Sequence, residues 1–162
     1  MNEERSIRLD RMRFTKNTLS SSLVLVAILF NVFYFINIYK SDVNHNVGNF
    51  YYQIRIGASI IYNLVFLLAT FLASEGVKNY QRNYSWLMLA LGAGQIVRIF
   101  IYPVQAHSAV VAGAQVMGDG QFIRMVIYLV LSAVCLLAGS VINWRKSKAL
   151  ADHIASLNAA RA

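Results

Sequence analysis

The stretch LVLVAILFNVFYF, residues 23–35, indicates the fold class of this chain. It lies within 23 consecutive uncharged residues between Lys16 and Lys40. An α-helix rises about 1.5 Å per residue, so about 20 residues cross a hydrocarbon core of about 30 Å. The run shows none of the period-two alternation of a membrane β-strand. It therefore predicts a transmembrane helix.

Three further uncharged gaps have similar lengths. They hold 19 residues between Arg55 and Glu75, 15 between Arg82 and Arg98, and 20 between Arg124 and Arg145. The second of these gaps reaches spanning length only if Arg98 belongs to the helix. The sequence thus predicts an all-α integral membrane protein with four transmembrane helices in an antiparallel bundle over residues 19–144. The expected spans are 19–39, 53–73, 84–102 and 122–144.

The composition excludes the common soluble classes. Hydrophobic residues make up 57% of the 162 residues and charged residues 14%, against about 25% charged in soluble domains. Such an apolar chain is not intrinsically disordered. Cys135 is the one cysteine, so a disulfide framework is excluded.

The cations are distributed unevenly around the spans. One predicted side carries 11 of the 15, in the basic segment 1–18, in the loop between the second and third spans and in the basic tail 145–162. The other side carries Lys40, Arg55 and Arg124. The positive-inside rule places both termini in the cytoplasm, in a plasma or inner cell membrane. The net charge of +8 is then explained by topology and by contact with anionic membrane lipids. No nucleic-acid partner is expected, because no nucleic-acid-binding motif accompanies the charge.

Each predicted helix carries polar residues on one face. The stripes are Asn31, Tyr34 and Asn37; Arg55, Ser59, Tyr62 and Asn63; Gln95, Arg98 and Tyr102; and Arg124, Tyr128, Ser132 and Cys135. In an antiparallel bundle all four reach the outer half of the membrane. Polar side chains in lipid usually face the bundle interior, so we expect a pocket open to the outer side.

Guanidinium groups in such a pocket favour carboxylate or phosphate ligands. The candidate ligand-binding residues for an anionic molecule or a lipid headgroup are Arg98, Gln95, Tyr102, Arg55, Tyr62, Asn63, Arg124, Tyr128, Asn31 and Tyr34. An alternative is that the arginines extend to the lipid headgroups. That alternative is favoured for Arg55 and Arg124, each the third residue of its span. For Arg98, headgroup contact and an inward-facing binding role have equal support.

Motifs for catalysis, metals and cofactors are missing from the sequence. It has no Walker-type phosphate loop, nucleophile elbow or zinc-protease motif. His45, His107 and His153 lie in predicted outer loops and the tail, so no haem pair is expected. No Asp or Glu lies inside a span, which argues against a self-sufficient ion-coupled carrier. We therefore expect no cofactor and no metal, and the sequence predicts no catalytic residues.

Two shorter segments leave alternatives open. Residues 103–121 predict either a cap over the helix ends or a re-entrant segment. The tail predicts a short amphipathic helix with Leu150, Ile154 and Leu157 on one face. It could lie on the inner leaflet, bind a cytoplasmic partner or continue the fourth helix. The small-residue pairs Ala90/Gly94 and Cys135/Gly139 predict helix contacts within the chain or between chains.

These features favour a small integral membrane subunit of a larger assembly, of transport or channel type, or of a homo-oligomer. Its partners would be membrane lipids and other membrane subunits or further copies of the chain. The alternative function is a membrane enzyme acting on a lipid or quinone headgroup through its Tyr and Arg side chains.

The topology is testable by cysteine labelling in intact cells. A single cysteine introduced at Asn46 should react with an impermeant maleimide, and one at Asn83 should resist it, because the cation bias places Asn83 inside. Both variants would carry Cys135→Ser, and the labelled protein is detected by a gel shift. The reverse labelling pattern would contradict the predicted orientation.

Overall fold

The computed structural model describes residues 16–42, 50–108, 110–111, 114–115 and 117–159. The side chains of residues 39–42, 50–53, 55–56, 110–111 and 114–115 lie outside this description. The elements in chain order are α1 (Thr18–Asp42), α2 (Phe50–Lys78), α3 (Asn83–Ile101), α4 (Pro103–Ser108), β1 (Val110–Val111), β2 (Ala114–Gln115) and α5 (Asp119–Ala159).

Four helices, α1, α2, α3 and α5, are long and apolar enough to cross a membrane. The prediction of four spanning-length helices is therefore confirmed. Their outer surface is apolar: Ile61, Leu64, Val65 and Leu68 on α2 are each more than 60% exposed. Large aliphatic side chains so exposed along a helix are unfavourable in water and ordinary in lipid.

The core consists of two buried clusters. The first lies around Met88 of α3 and Leu136 of α5 and includes Val24, Ala27, Phe66, Ala73 and Val77. The second lies around Tyr34 of α1 and Leu129 of α5 and includes Ile38, Ala106, Met117 and Met125. Helix α5 packs against both α1 and α3, while α2 packs mainly on α1. Among the long helices that pack side by side in the described structure, α2 and α3 make the sparsest contact.

The described residues between 103 and 121 form a cap beside the second cluster. Pro103 begins α4, and β1 pairs with β2 in a short antiparallel ladder. Met117 is buried, and its carbonyl oxygen lies 3.3 Å from Nδ1 of His107. The His107 ring stacks on Phe122 with 4.5 Å between the centroids. Gln121 fastens the cap to α1 by donating to the carbonyl oxygen of Asn37 at 3.1 Å. These contacts join the described part of this segment to α1 and α5.

The C-terminal tail is the continuation of α5 through Ala159. A 41-residue helix is about 60 Å long, roughly twice the thickness of the hydrocarbon core. Ile154 and Leu157 are each 48% exposed on the part of α5 that extends past the bundle. The tail therefore continues the fourth helix, and its binding to the inner leaflet or to a partner stays a prediction.

At the end of the bundle opposite the cap, a polar network joins α1, α3, α5 and the loop between α2 and α3. Asn143 of α5 accepts from Nδ2 of Asn17 at 3.0 Å and donates to Oγ of Ser85 at 2.9 Å. Its Nδ2 also lies 3.2 Å from the carbonyl oxygen of Gln81. Nζ of Lys146 donates to Oδ1 of Asn17 at 3.1 Å. These bonds fix how α1, α3 and α5 align along their axes.

The loop from α2 to α3 turns at Tyr80, which has a φ of 58°. That left-handed conformation is rare for a bulky residue, and here the Tyr80 side chain is buried. Burial raises the pKa of its phenol.

Glycines permit the closest helix contacts inside the chain. A Cβ at Gly139 of α5 would lie 2.6 Å from Cε of Met88, so this position is used for packing within the chain. A Cβ at Gly92 of α3 would lie 3.0 Å from Cδ2 of Leu137. For the Cys135/Gly139 pair, the contact found is therefore an intramolecular one. At Gly94 the nearest atom is Oη of Tyr62, 3.8 Å from an added Cβ.

Gly76 and Gly57, both on α2, offer a matched test of this packing. Gly76→Ala should lower the melting temperature, because the new Cβ would overlap the Tyr84 ring. Overpacking typically costs about 1–3 kcal/mol, which exceeds the gain of about 0.5–1 kcal/mol from replacing a helical glycine. Gly57→Ala meets open space and should leave the melting temperature unchanged or raise it. Equal melting temperatures for the two variants in neutral detergent would contradict the close α2–α3 contact at Gly76.

Candidate functional site

Arg98 in the last turn of α3 is the centre of the candidate site. The helix ends three residues later at Ile101, and the N–H of Tyr102 donates back to the carbonyl oxygen of Arg98. An arginine so near a helix end could reach the headgroups. Its side chain is instead only 7% exposed and lies inside the bundle.

Two asparagines bind the guanidinium edge. Nη1 of Arg98 donates to Oδ1 of Asn31 on α1 at 3.2 Å. Nη2 donates to Oδ1 of Asn63 on α2 at 3.0 Å. Asn31 also donates from Nδ2 to Asn63 Oδ1 at 3.3 Å. One cation therefore ties α3 to both α1 and α2 through neutral acceptors.

Two tyrosine rings cover the guanidinium. Its central carbon lies 4.4 Å from the ring centroid of Tyr34 and 4.5 Å from that of Tyr62. Both distances are within the range of cation–π attraction. Tyr34 is buried, whereas Tyr62 is 43% exposed. The Tyr62 side of Arg98 is consequently the side nearest the surface.

Gln95 extends the network to α5. Its Nε2 donates to Oδ1 of Asn31 at 3.1 Å and to Oγ of Ser132 at 3.4 Å. Ser132 in turn donates to the carbonyl oxygen of Ala27 at 3.1 Å. Gln95 is fully buried, and its Oε1 has no hydrogen-bond partner within the described structure. All four long helices thus contribute to one buried polar cluster.

The cluster holds a charge without a counter-charge among the described residues. Among the described residues, salt-bridge distances join Lys78 to Glu75 and His107 to Asp119, and neither contact includes Arg98. Buried charges in proteins are normally paired. The described residues around Arg98 supply neutral amide oxygens and aromatic rings, which do not neutralise its positive charge.

A cavity of about 580 Å³ adjoins Arg98 between α2 and α3. Its lining consists of Tyr34, Ala58, Ser59, Tyr62, Gly94, Val97, Arg98, Ile101, Tyr102 and Gln105. We call this cavity the lateral groove. The lateral groove runs along the interface of α2 and α3, where these helices make few contacts. Gln105 of α4 lines the end of the groove nearest the cap.

The structure brings together seven of the predicted site residues. Asn31, Tyr34, Tyr62, Asn63, Gln95, Arg98 and Tyr102 lie in the cluster or line the groove. Two predicted residues on α5 lie elsewhere. Arg124 is exposed and donates from Nε to the carbonyl oxygen of Gly120 at 3.1 Å. Tyr128 packs on Phe33, 5.8 Å between ring centroids. The side chain of Arg55 lies outside the described residues.

The position of Arg124 follows from helix geometry. Each residue of an α-helix turns by about 100°, so successive i+4 positions drift by about 40° around the axis. From Ser132 back to Arg124 the drift is about 80°, enough to pass from the buried face to the exposed one. The polar stripe on α5 therefore winds away from the cluster.

The sequence did not identify the apolar lining of the groove. Gly94, Val97 and Ile101 flank Arg98 on α3 at helical spacing, and Ala58 faces them from α2. The signal that could have revealed them is their place on the Arg98 face, next to a glycine that leaves room.

Comparisons with protein-family models, with curated proteins and with solved structures find no match to this chain.

Asn31 and Asn37, both on α1, provide a matched test of the cluster. Asn31→Leu should destabilise the protein by about 1–3 kcal/mol, because Arg98 and Gln95 both lose an acceptor. Asn37→Leu removes a side chain that bonds only the carbonyl oxygen of Phe33 in its own helix, and it should cost much less. Thermal unfolding in neutral detergent gives the comparison. Equal losses for both variants would show that Asn31 does not hold the cluster together.

Proposed function

We propose that this chain is a small integral membrane subunit that binds an anionic group at Arg98. The observation that carries the proposal is a buried guanidinium that has no carboxylate partner among the described residues and lines an open groove. The asparagine and tyrosine contacts orient the guanidinium before a ligand arrives. Preorganised donors lower the cost of binding.

The proposed membrane arrangement follows from the contacts and the charges together. Asn17 at the start of α1 meets Asn143 far along α5, while Asn37 late in α1 meets Gln121 early in α5. These pairs support α1 and α5 running in opposite directions. With the cation bias of the sequence, they favour an antiparallel bundle with both termini cytoplasmic and the Arg98 cluster in the outer half.

Arginine suits a carboxylate or phosphate ligand for geometric reasons. Its planar fork can donate two parallel hydrogen bonds to either group. Asn31 and Asn63 each accept from one terminal nitrogen, and both are neutral. An anionic ligand in the groove would supply the negative charge that these residues do not.

The tail of α5 supports the subunit part of the proposal. It extends beyond the bundle as a helix with Ile154 and Leu157 exposed on it. Exposed apolar side chains at helical spacing are how a helix enters a partner's groove. We propose that the tail binds a cytoplasmic partner or another subunit of a transport or channel assembly, or a further copy of this chain.

Arginine substitutions test anion binding directly. The protein in neutral maltoside detergent would be titrated with dodecyl phosphate and, separately, with dodecanoate, and binding read from the rise in melting temperature. A hydrogen bond to a charged group contributes about 1.5–3 kcal/mol, so Arg98→Lys should weaken binding by roughly ten- to hundredfold. Arg98→Gln should weaken it further by removing the charge.

Arg124→Gln is the matched control, because Arg124 is exposed and bonds the backbone of its own helix. It should bind both probes like the wild type. Wild-type affinity in Arg98→Gln, or no binding of either probe to the unaltered protein, would overturn the proposed function.

A further inference from the structure

The lateral groove has features that indicate the kind of anion it takes. Resting on the function proposed above, we infer that the ligand is an amphiphile with one anionic head and an apolar chain. It enters sideways from the outer leaflet between α2 and α3, with the head at Arg98. Four observations lead to this inference: the size of the groove, its lining, its opening and the glycine in its wall.

The groove is larger than a small free anion requires. Its volume of about 580 Å³ lies within the range of about 300–1,000 Å³ typical of sites for drug-sized organic molecules. Among the side chains that the structure describes, Arg98 is the one cation that lines it. Most of the volume therefore surrounds a part of the ligand other than the charged head.

The walls away from Arg98 are largely apolar. Ala58 of α2 faces Gly94, Val97 and Ile101 of α3. A hydrated inorganic anion gains nothing from such walls and loses water against them, because polar groups moved to apolar surroundings need replacement hydrogen bonds. A hydrocarbon chain is favourable there, at roughly 25 cal/mol for each Å² removed from water.

The groove opens toward the apolar outer surface of the bundle. Val97 and Ile101 line it and are still 57% and 58% exposed. Ile61 and Val65, on either side of Tyr62 and Asn63 along α2, are 64% and 61% exposed. In the proposed membrane these side chains contact lipid, so a molecule dissolved in the bilayer reaches the opening without crossing water.

Gly94 sets the width of the passage beside Tyr62. An added Cβ there would be 3.8 Å from Oη of Tyr62, which is ordinary contact, with no other atom of a neighbouring helix within 4 Å. The space in front of Gly94 is therefore available to a ligand. Alanine fits that space with little change, whereas the branched side chain of leucine would fill it.

Gly94→Leu is the variant that tests the passage, and dodecyl phosphate is the probe. Binding is measured by melting temperature in one maltoside detergent at one detergent concentration, so the distribution of probe into micelles is common to all variants. Gly94→Leu should weaken binding at least about tenfold, the scale of forcing extra methylene groups into a fitted site. Gly94→Ala should stay within about threefold of the wild type, as expected for a contact at van der Waals distance.

Ala90→Leu is the matched control on the same helix. Ala90 is exposed one turn from Gly94 and does not line the groove, so its variant should bind like the wild type. It also reports any general effect of adding leucine to α3.

Ethyl phosphate separates a lipid source from a free one. It carries a similar head without a long chain, and we expect its binding to be far weaker than that of dodecyl phosphate and unaltered by Gly94→Leu. Wild-type affinity of Gly94→Leu for dodecyl phosphate would overturn the sideways entry while leaving the Arg98 site in place. Equally tight binding of ethyl phosphate would assign the site to a free anion. Wild-type affinity of Arg98→Gln for dodecyl phosphate would instead overturn the proposed function itself.

Discussion

The guanidinium of Arg98, buried within the bundle, is the constraint on which the cap end of this structure depends. Placing an arginine at the centre of a membrane helix costs about 2.5–3.5 kcal/mol by insertion measurements. Arg98 is surrounded by the features that reduce such a cost: two asparagine oxygens at its edge and two tyrosine rings over its faces. Because these contacts come from α1 and α2, the charge also determines how the helices meet.

The same arrangement leaves the groove between α2 and α3, where the packing of neighbouring long helices is sparsest. Buried networks around Asn31 at one end and Asn143 at the other fasten α1, α3 and α5 to one another. Helix α2 joins the network around Asn31 through Asn63 but packs mainly on α1. The space between α2 and α3 can therefore stay open without loosening the rest of the bundle, and it leads directly to Arg98.

The sequence was informative where a physical rule acts on one helix at a time. Span length and apolar runs predicted four helices, and helical spacing placed Asn31, Gln95 and Arg98 on inward faces. It was less informative where the outcome depends on neighbouring helices. Helical spacing gives the drift along α5, but only the contacts of Ser132 with α1 and α3 show that this drift carries Arg124 away from the buried face. Helical spacing also could not show that Gly139 serves packing within the chain while Gly94 faces open space.

The most direct measurement of the central claim is native mass spectrometry of the protein extracted from its own membranes in neutral detergent. If Arg98 holds an anionic amphiphile, the wild type should carry one such molecule per chain, and Arg98→Gln should lose it while Arg124→Gln retains it. Identification of the released molecule would then name the ligand. A wild-type chain without an anionic adduct, or the same adduct on Arg98→Gln, would contradict the claim that the buried charge is a binding site.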